Sequence, residues 1–203
     1  KVEVIRGLRV VLTQQSSEIE LKANGNLGEV ALSEEIYSKV IDQLKDLEPR
    51  TIGEIEPLLK DSGITLGQLV QVVVMLAGTG ALANAQESDD ILNSRVRTDS
   101  LNRHLLAKAR TSGDIGCLAS PVISAGVAVD RVRQLFILAM KNTSNTEEEL
   151  AAFAWSVISS QGQKVILNGA PIDSEDENLT ELIIRAEKFL RLDLPVYQSL
   201  GVC

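Results

Sequence analysis

The chain has 203 residues, which suffices for one large domain or two small ones, and its 44% hydrophobic and 24% charged residues are typical of a globular protein. Only 3% of the residues are aromatic, so we expect an aliphatic core. The formal net charge of −8 disfavours binding to nucleic-acid phosphates and to anionic membrane surfaces, because affinity for both comes largely from clustered lysine and arginine.

The cysteines and the N-terminus give expectations about the compartment. Cys117 and Cys203 are too few for a disulfide framework, which favours a reducing cytoplasm. The sequence contains no apolar run of about 18 residues and no signal-peptide pattern, so we expect no membrane contact. The chain opens on strand-like Lys1-Val-Glu-Val without an initiator methionine, which indicates a piece of a longer polypeptide.

Residues 1–90 predict a β-strand lead-in followed by a winged-helix-like regulatory subdomain. Apolar, β-branched residues predict a strand at 10–13, and the alternation of apolar and polar residues predicts another at 19–22. Residues 24–28 predict a turn. Ser33 is placed to cap a helix that ends before Pro49.

Two capping boxes then predict two helices, at Thr51-x-x-Glu54 and Thr65-x-x-Gln68. Pro57 should delay or kink the first of them, and the second should end near residues 78–80. A short strand is expected at residues 82–85. Helix, short helix, long helix and hairpin is the order of a winged-helix unit, which we place at residues 33–88.

Residues 91–203 predict a helical C-terminal subdomain after a linker at residues 86–90. Helices are expected at about residues 100–110, from residue 130 onward, after the box Thr146-x-x-Glu149 and after the box Ser174-x-x-Glu177. Asn168-Gly169 predicts a tight turn. The predicted fold class is therefore mainly α, of the α+β type.

The run Gly78-Thr-Gly80-Ala-Leu-Ala83 imitates a dinucleotide-binding fingerprint, and Asp99 follows at about the expected spacing. The fingerprint needs a strand before its first glycine, whereas the box at Thr65 predicts a helix there. We interpret the glycines as the C-terminal end of that helix. An enzyme that uses this turn to bind a nucleotide remains a third hypothesis.

DNA binding by the winged-helix-like unit is disfavoured by the distribution of cations. The sequence has no lysine or arginine between Lys60 and Arg95, so the expected recognition helix offers nothing to phosphates or guanine edges. Its apolar residues suit a protein surface, and both this helix and the last helix are candidate interdomain or homodimer surfaces.

Several single residues invite chemical roles that their surroundings disfavour. His104, the only histidine, is interpreted as structural or solvent-exposed, and Cys117 as a buried inert thiol. The acidic run at residues 173–178 is interpreted as a helix start and not as a calcium loop. Trp155 is expected to pack in the core and not to serve as an exposed anchor.

Residues 118–129 are too apolar for an exposed loop, yet they contain Pro121 and Gly126, which predicts a buried, irregular segment between two helices. This segment and the C-terminal stretch resemble one family. Three further stretches resemble the same family: Ser100-Leu-Asn-Arg-His-Leu-Leu-Ala-Lys-Ala-Arg, Val129-Asp-Arg-Val-Arg-Gln-Leu-Phe-Ile-Leu-Ala and Trp155-Ser-Val-Ile-Ser-Ser-Gln-Gly-Gln. The family is the regulatory region that follows the catalytic domain of bacterial class I S-adenosylmethionine-dependent methyltransferases. The chain is also similar to rickettsial-type protein lysine methyltransferases, which methylate outer-membrane proteins.

The resemblance implies a non-catalytic module that regulates a methyltransferase or positions its protein substrate. Its partners would be its own N-terminal methyltransferase domain and a protein substrate, with no nucleic acid and no membrane. S-adenosylmethionine would bind the catalytic domain, because residues 1–203 contain no glycine-rich turn and downstream acid in strand context. We therefore expect no catalytic, cofactor-binding or metal-binding residue in this chain.

The candidate interaction or structural-motif residues are those that match the family's pattern and the single tryptophan: Asn102, Ser120, Pro121, Gly126, Arg131 and Trp155. Buried loop geometry explains the matches as well as substrate contact does, with Gly126 allowing a close backbone approach. The alternative function is a free-standing acidic winged-helix transcriptional regulator or protein-interaction module.

Overall fold

The computed structural model describes residues 1–25, 28–142 and 145–203. These residues are mainly helical with small antiparallel sheets, which confirms the predicted α+β class. They form two compact units, one of residues 1–92 with 122–124 and one of residues 93–121 with 125–203. The division falls two residues after the boundary that the sequence suggested at residue 90.

The first unit opens on a helix, so the strand expected at the N-terminus is wrong. Helix α1 (Val2–Arg6) is short, and Glu3 pairs with Arg6 one turn later at 2.9 Å. Strand β1 (Arg9–Leu12) is confirmed, and its residues Val10, Val11 and Leu12 are fully buried. The strand predicted at residues 19–22 is wrong, because a 3₁₀ turn (Ser16–Glu18) precedes it and pairing begins only with β2 (Lys22–Gly25) and β3 (Gly28–Ala31). Two residues of the turn predicted at 24–28 lie outside the described residues.

Three helices follow in the predicted order: α2 (Glu34–Asp42), α3 (Ile52–Leu58) and α4 (Leu66–Gly78). Both capping boxes are confirmed, with the Thr51 and Thr65 hydroxyls accepting from Glu54 N at 3.1 Å and Gln68 N at 3.3 Å. Pro57 does not delay α3, because it lies in the last turn of a helix that starts directly after its box.

The hairpin predicted after the long helix is wrong, because the strand there pairs with the beginning of the chain. β1 is the central strand of an antiparallel sheet, with β4 (Arg50–Thr51) on one side and β5 (Leu82–Asn84) on the other. Val10 faces Asn84 across one ladder and Arg50 across the other. The unit therefore has its three helices in the predicted order, but its central strand precedes them in the sequence and, among the described residues, no hairpin directly follows the long helix.

Helix α5 (Ser88–Lys108) starts twelve residues earlier than predicted, so residues 88–90 are not linker. Its first half is exposed on most sides, with Leu92 and Val96 both largely accessible. The sequence reads as a linker there because a helix with few buried positions has no clear apolar periodicity. Asp89 and Asp90 in its first turn complement the helix dipole.

In the second unit the segment expected to be irregular is a β-hairpin. Strands β6 (Cys117–Ser120) and β7 (Ala125–Ala128) pair in register, and Gly126 lies within β7 opposite Ala119. The ladder satisfies the backbone groups of this apolar stretch. Alternation decides its burial, since Leu118 and Ser120 are buried while Cys117 is exposed.

The remaining helices form the core of the second unit. They are α6 (Arg131–Met140), α7 (Glu147–Ser160), α8 (Glu175–Lys188), a π-helical turn (Phe189–Asp193) and α9 (Leu194–Ser199). Strands β8 (Ile166–Leu167) and β9 (Ala170–Pro171) confirm the predicted turn, in which Asn168 and Gly169 have φ of 51° and 82°. The largely aliphatic core also contains aromatic contacts, since the ring of Phe189 lies 5.4 Å from that of Phe136 and 6.3 Å from that of Tyr197.

Candidate functional site

Asn102 lies on α5 and is 1% exposed, and its amide satisfies three backbone groups. Its Oδ1 accepts from Ala119 N at 2.8 Å, and its Nδ2 donates to Ala119 O at 2.8 Å and to Val202 O at 3.2 Å. One neutral side chain thus joins α5, β6 and the last residues of the chain. Because both the oxygen and the nitrogen of this buried amide are hydrogen-bonded, the side chain stabilises the backbone around it.

Ser120 makes the second link between β6 and the C-terminal segment. Its hydroxyl donates to Leu200 O at 2.5 Å, and the residue is 3% exposed. Pro121, also buried, follows directly and ends the strand. We refer to Asn102, Ser120 and Pro121 as the Asn102–Ser120 cluster. The cluster contains no ionisable or nucleophilic group beyond a hydroxyl that is already bonded to the backbone.

Gly126 stands beside this cluster in β7, but the close backbone approach expected for it is not found. A Cβ built on Gly126 would lie 3.5 Å from the Cβ and Sγ of Cys117, which is ordinary van der Waals contact. The residue is exposed and has no positive φ. The structure therefore gives no backbone reason for a glycine at this position.

Arg131, the first residue of α6, lies apart from the Asn102–Ser120 cluster. Its Nε donates to Ala109 O at 2.8 Å, its Nη1 to Gln163 Oε1 at 2.6 Å and its Nη2 to Gln161 Oε1 at 2.9 Å. All three acceptors are neutral oxygens, and among the described residues no carboxylate pairs with this guanidinium. The bond to Ala109 O ties α6 to the C-terminal end of α5.

Arg131 opens onto a groove of about 560 Å³, which we call the Arg131 groove. Its apolar lining is formed by Val132, Ile158, Val165, Ile166 and Pro171, and its cations are Arg131, Lys164 and Arg185. Lys164 Nζ lies 2.5 Å from Asp173, and Arg185 Nε lies 2.7 Å from Glu181 Oε1. Since the groove combines an apolar floor with cations, it suits a ligand that carries both a negative charge and an apolar part.

Trp155 on α7 is half-buried, which lies between the core position expected for it and an exposed anchor. Its indole N–H donates to Glu175 Oε1 at 3.2 Å, at the start of α8. This contact braces α7 against α8 and leaves part of the ring accessible.

Sequence reasoning missed two buried amides that act like Asn102. Gln134 Nε2 donates to Ile115 O at 2.5 Å and to Val129 O at 2.7 Å. These bonds fix the residues just before β6 and just after β7 to α6. Asn178 accepts from Val165 N at 2.8 Å and donates to Ile172 O and Ser174 O. The available signal was an amide at an inward position of an amphipathic helix.

A half-buried ion pair at the start of α6 was also missed. Arg133 Nε lies 2.6 Å from Asp193 Oδ2, and its Nη1 contacts Asp130, the N-cap residue of α6. Burial opposes the charge of Arg133, but the two carboxylates outweigh it and raise the pKa of the guanidinium above its ordinary value. The pair links α6 to the π-helical turn.

The other chemical candidates lie apart from each other. His104 is exposed, which is one of the two environments expected for it. Cys117 is also exposed, so the prediction that its thiol is buried is wrong. The acidic run is confirmed as a helix start, because Ser174 Oγ accepts from Glu177 N at 3.4 Å and three acids occupy the first turn of α8. Within the described residues no three histidine, cysteine or acidic side chains are grouped as metal ligands.

The Gly78–Gly80 turn has the opposite order to a dinucleotide fingerprint. Helix α4 ends at Gly78, Gly80 has φ of 80°, and strand β5 follows. The solvent side of α4 exposes Gln71, Val74 and Ala77, which carry no charge.

Comparison with known proteins gives one long match. Over 201 residues the chain is 33% identical to a protein of Synechocystis sp., sll1526, which is uncharacterized. The match covers 99% of this chain and 39% of that relative, so the chain spans about two fifths of the relative's length. No family model matches the chain, and no solved structure matches it. Among the described residues, no helix is both long and apolar enough to cross a membrane.

Proposed function

We propose that the chain is a non-catalytic regulatory or protein-substrate-positioning module of a bacterial S-adenosylmethionine-dependent methyltransferase, of the kind that methylates protein lysines. The observation that carries the proposal is that the polar side chains matching the family's pattern bind mainly to this chain's own backbone. Asn102 and Ser120 hold β6 and residues 200–202 together, which is the work of a scaffold.

The chemistry of these residues supports the same role. Methyl transfer to an amine needs a bound donor and a group that accepts a proton. The Asn102–Ser120 cluster offers an amide and a hydroxyl, both already bonded. In this proposal the donor and the proton acceptor belong to a methyltransferase domain elsewhere in the polypeptide.

The methyl donor's expected site does not fit the residues present. A class I site places a glycine-rich turn after a strand, while the Gly78–Gly80 turn follows a helix. In this proposal the chain therefore takes no chemical part in the transfer. The length of the Synechocystis relative agrees with a separate catalytic domain, since about three fifths of that protein lie outside the match.

A module of this kind would act by contact with its own methyltransferase domain and with a protein substrate. In this proposal it works in the cytoplasm, in line with two cysteines that form no disulfide. The alternative of a DNA-binding regulator has no support from α4, whose exposed side chains include no cation for phosphate.

The experiment that tests the proposal is methyl transfer from labelled S-adenosylmethionine to candidate protein substrates by the full-length parent polypeptide. We expect the rate or the choice of substrate to change when residues 1–203 are deleted, and to recover in part when the chain is added back as a separate protein. If the deleted enzyme keeps both the same rate and the same substrates, the module has no regulatory or positioning role.

A further inference from the structure

We infer that the Arg131 groove binds an extended acidic peptide segment of a partner protein, with a carboxylate on Arg131 and an adjacent apolar side chain on the groove floor. The inference deepens the proposed function. It rests on that function only for the assumption that the partner is a protein. It names the chemistry that such a partner must present.

Arg131 is positioned for an anion that the described residues do not supply. Its three nitrogens donate to Ala109 O, Gln163 Oε1 and Gln161 Oε1 at 2.6–2.9 Å, and these oxygens orient the guanidinium without neutralising it. A guanidinium has five N–H groups, so one remains on each terminal nitrogen. Two such donors in one plane match the two oxygens of a carboxylate.

The neighbouring cations strengthen the preference for negative charge. The described residues that line the groove include Arg131, Lys164 and Arg185 and no carboxylate. Lys164 pairs with Asp173, whose side chain is 90% exposed, and such a surface pair is readily exchanged for a ligand carboxylate. Arg185 is braced more firmly, by the half-buried Glu181 and by Ile166 O at 2.8 Å.

The apolar floor distinguishes a peptide from a simple anion. Val132, Ile158, Val165 and Pro171 line the groove, and Ile166 on its rim is 53% exposed. The volume of about 560 Å³ falls within the range of about 300–1,000 Å³ typical of ligand pockets. An inorganic anion would leave this surface in water, whereas an acidic side chain beside an apolar one covers both features.

A long polyanion such as nucleic acid fits the second unit poorly. Residues 93–203 carry thirteen acids and twelve bases, so the cations of the groove are not part of a wider basic surface. Affinity for nucleic acid grows with the number of phosphates neutralised, which a short groove keeps small. Charge complementarity therefore selects a short acidic segment.

The test is fluorescence anisotropy of a labelled peptide of alternating glutamate and leucine, titrated with the 203-residue chain. The control peptide has glutamine at every glutamate position. We expect the glutamate peptide to bind about tenfold more tightly, because a charge-assisted bond to arginine replaces a neutral one. Raising the salt from about 50 to about 200 mM should weaken binding of the glutamate peptide severalfold.

Matched variants locate the site. Arg131→Gln should weaken binding of the glutamate peptide about fivefold or more. Lys164→Gln should weaken it too, and this second variant alters a surface ion pair, of the kind that contributes little to stability. Arg103→Gln, at an exposed position of α5 outside the groove, should leave binding unchanged. Circular dichroism verifies that each variant is folded.

Equal binding of the two peptides would overturn the inference, as would equal losses in the Arg131 and Arg103 variants. Absence of any binding also overturns it, and that result leaves the methyl-transfer proposal to be decided by its own assay. The two failures are thus distinguishable.

Discussion

Asn102 shows at the scale of one residue how this chain uses polar side chains in its interior. A single buried amide replaces water for Ala119 N, Ala119 O and Val202 O. Gln134 and Asn178 repeat the arrangement at other joints of the second unit. Because these groups are neutral, they stabilise the backbone over a wide range of pH.

Removal of this amide should be costly. Asn102→Ala leaves three backbone groups without their partner, and we expect the free energy of unfolding to fall by about 3 kcal/mol. Urea denaturation of both proteins measures the difference. Asn93→Ala on the exposed part of the same helix is the control and should change stability by less than about 0.5 kcal/mol. Similar losses in the two variants would contradict the structural role of Asn102.

The two cysteines should differ in reactivity. Burial raises the pKa of the Cys203 thiol to about 11, while Cys117 is exposed in β6. At pH 8 we expect a thiol reagent to label Cys117 rapidly and Cys203 only slowly, because the thiolate is the reactive form. Labelling of Cys117→Ser and Cys203→Ser measures each rate, and equally fast labelling of both cysteines would contradict the burial of Cys203.

The same raised pKa has a consequence for stability. A thiol that stays protonated in the folded chain contributes its full stability below its ordinary pKa of about 8.5. That contribution is lost as the pH rises toward the folded value of about 11.

Residue identity could be predicted better than residue environment. Asn102 and Ser120 were candidates from the sequence, but an amide side chain does not reveal whether its partners are backbone or substrate. Cys117 was misjudged because alternation in β6 turns it away from Leu118 and Ser120, and that strand was not predicted. Burial of a residue follows from its strand's register, which single positions do not encode.

At the scale of elements, local signals were reliable and long-range pairings were not. The boxes at Thr51 and Thr65 fixed the starts of α3 and α4, since each involves four consecutive residues. The partner of β5 is β1, about seventy residues earlier in the chain. Nothing local to β5 distinguishes that pairing from a hairpin.

The cap of α3 offers a direct test of such a local signal. Thr51→Ala removes the acceptor of Glu54 N, and we expect a loss of about 1 kcal/mol in the free energy of unfolding. Thr180→Ala in α8 is the matched control, because that hydroxyl donates to Asp176 O inside a helix and caps nothing. Denaturant titration compares the two variants, and a Thr180 loss as large as that of Thr51 would argue against the cap.

The whole molecule carries its charge unevenly. Residues 1–92 contain fifteen acids and eight bases, whereas residues 93–203 contain thirteen and twelve. The net charge of −8 is thus almost entirely a property of the first part of the chain. In the nearly neutral second part, Lys164 and Arg185 of the Arg131 groove pair with Asp173 and Glu181, whereas no described carboxylate pairs with Arg131.

The sequence supplied the fold class and the candidate residues, while their arrangement came from the structure. The Arg131 groove is formed by α6, the loop after α7, the β8–β9 hairpin and α8. Its cations are separated by up to 54 residues in the chain, so no spacing rule brings them together. Only the resemblance singled out Arg131, and it gave no sign of Lys164 or Arg185.

We propose that this chain contributes contact surfaces and that a methyl donor binds a methyltransferase domain outside it. Isothermal titration calorimetry with S-adenosylmethionine tests it most directly, performed on the 203-residue chain and on the full-length parent. We expect saturable heat from the parent and none from the chain alone. Saturable binding to the chain alone would contradict the account.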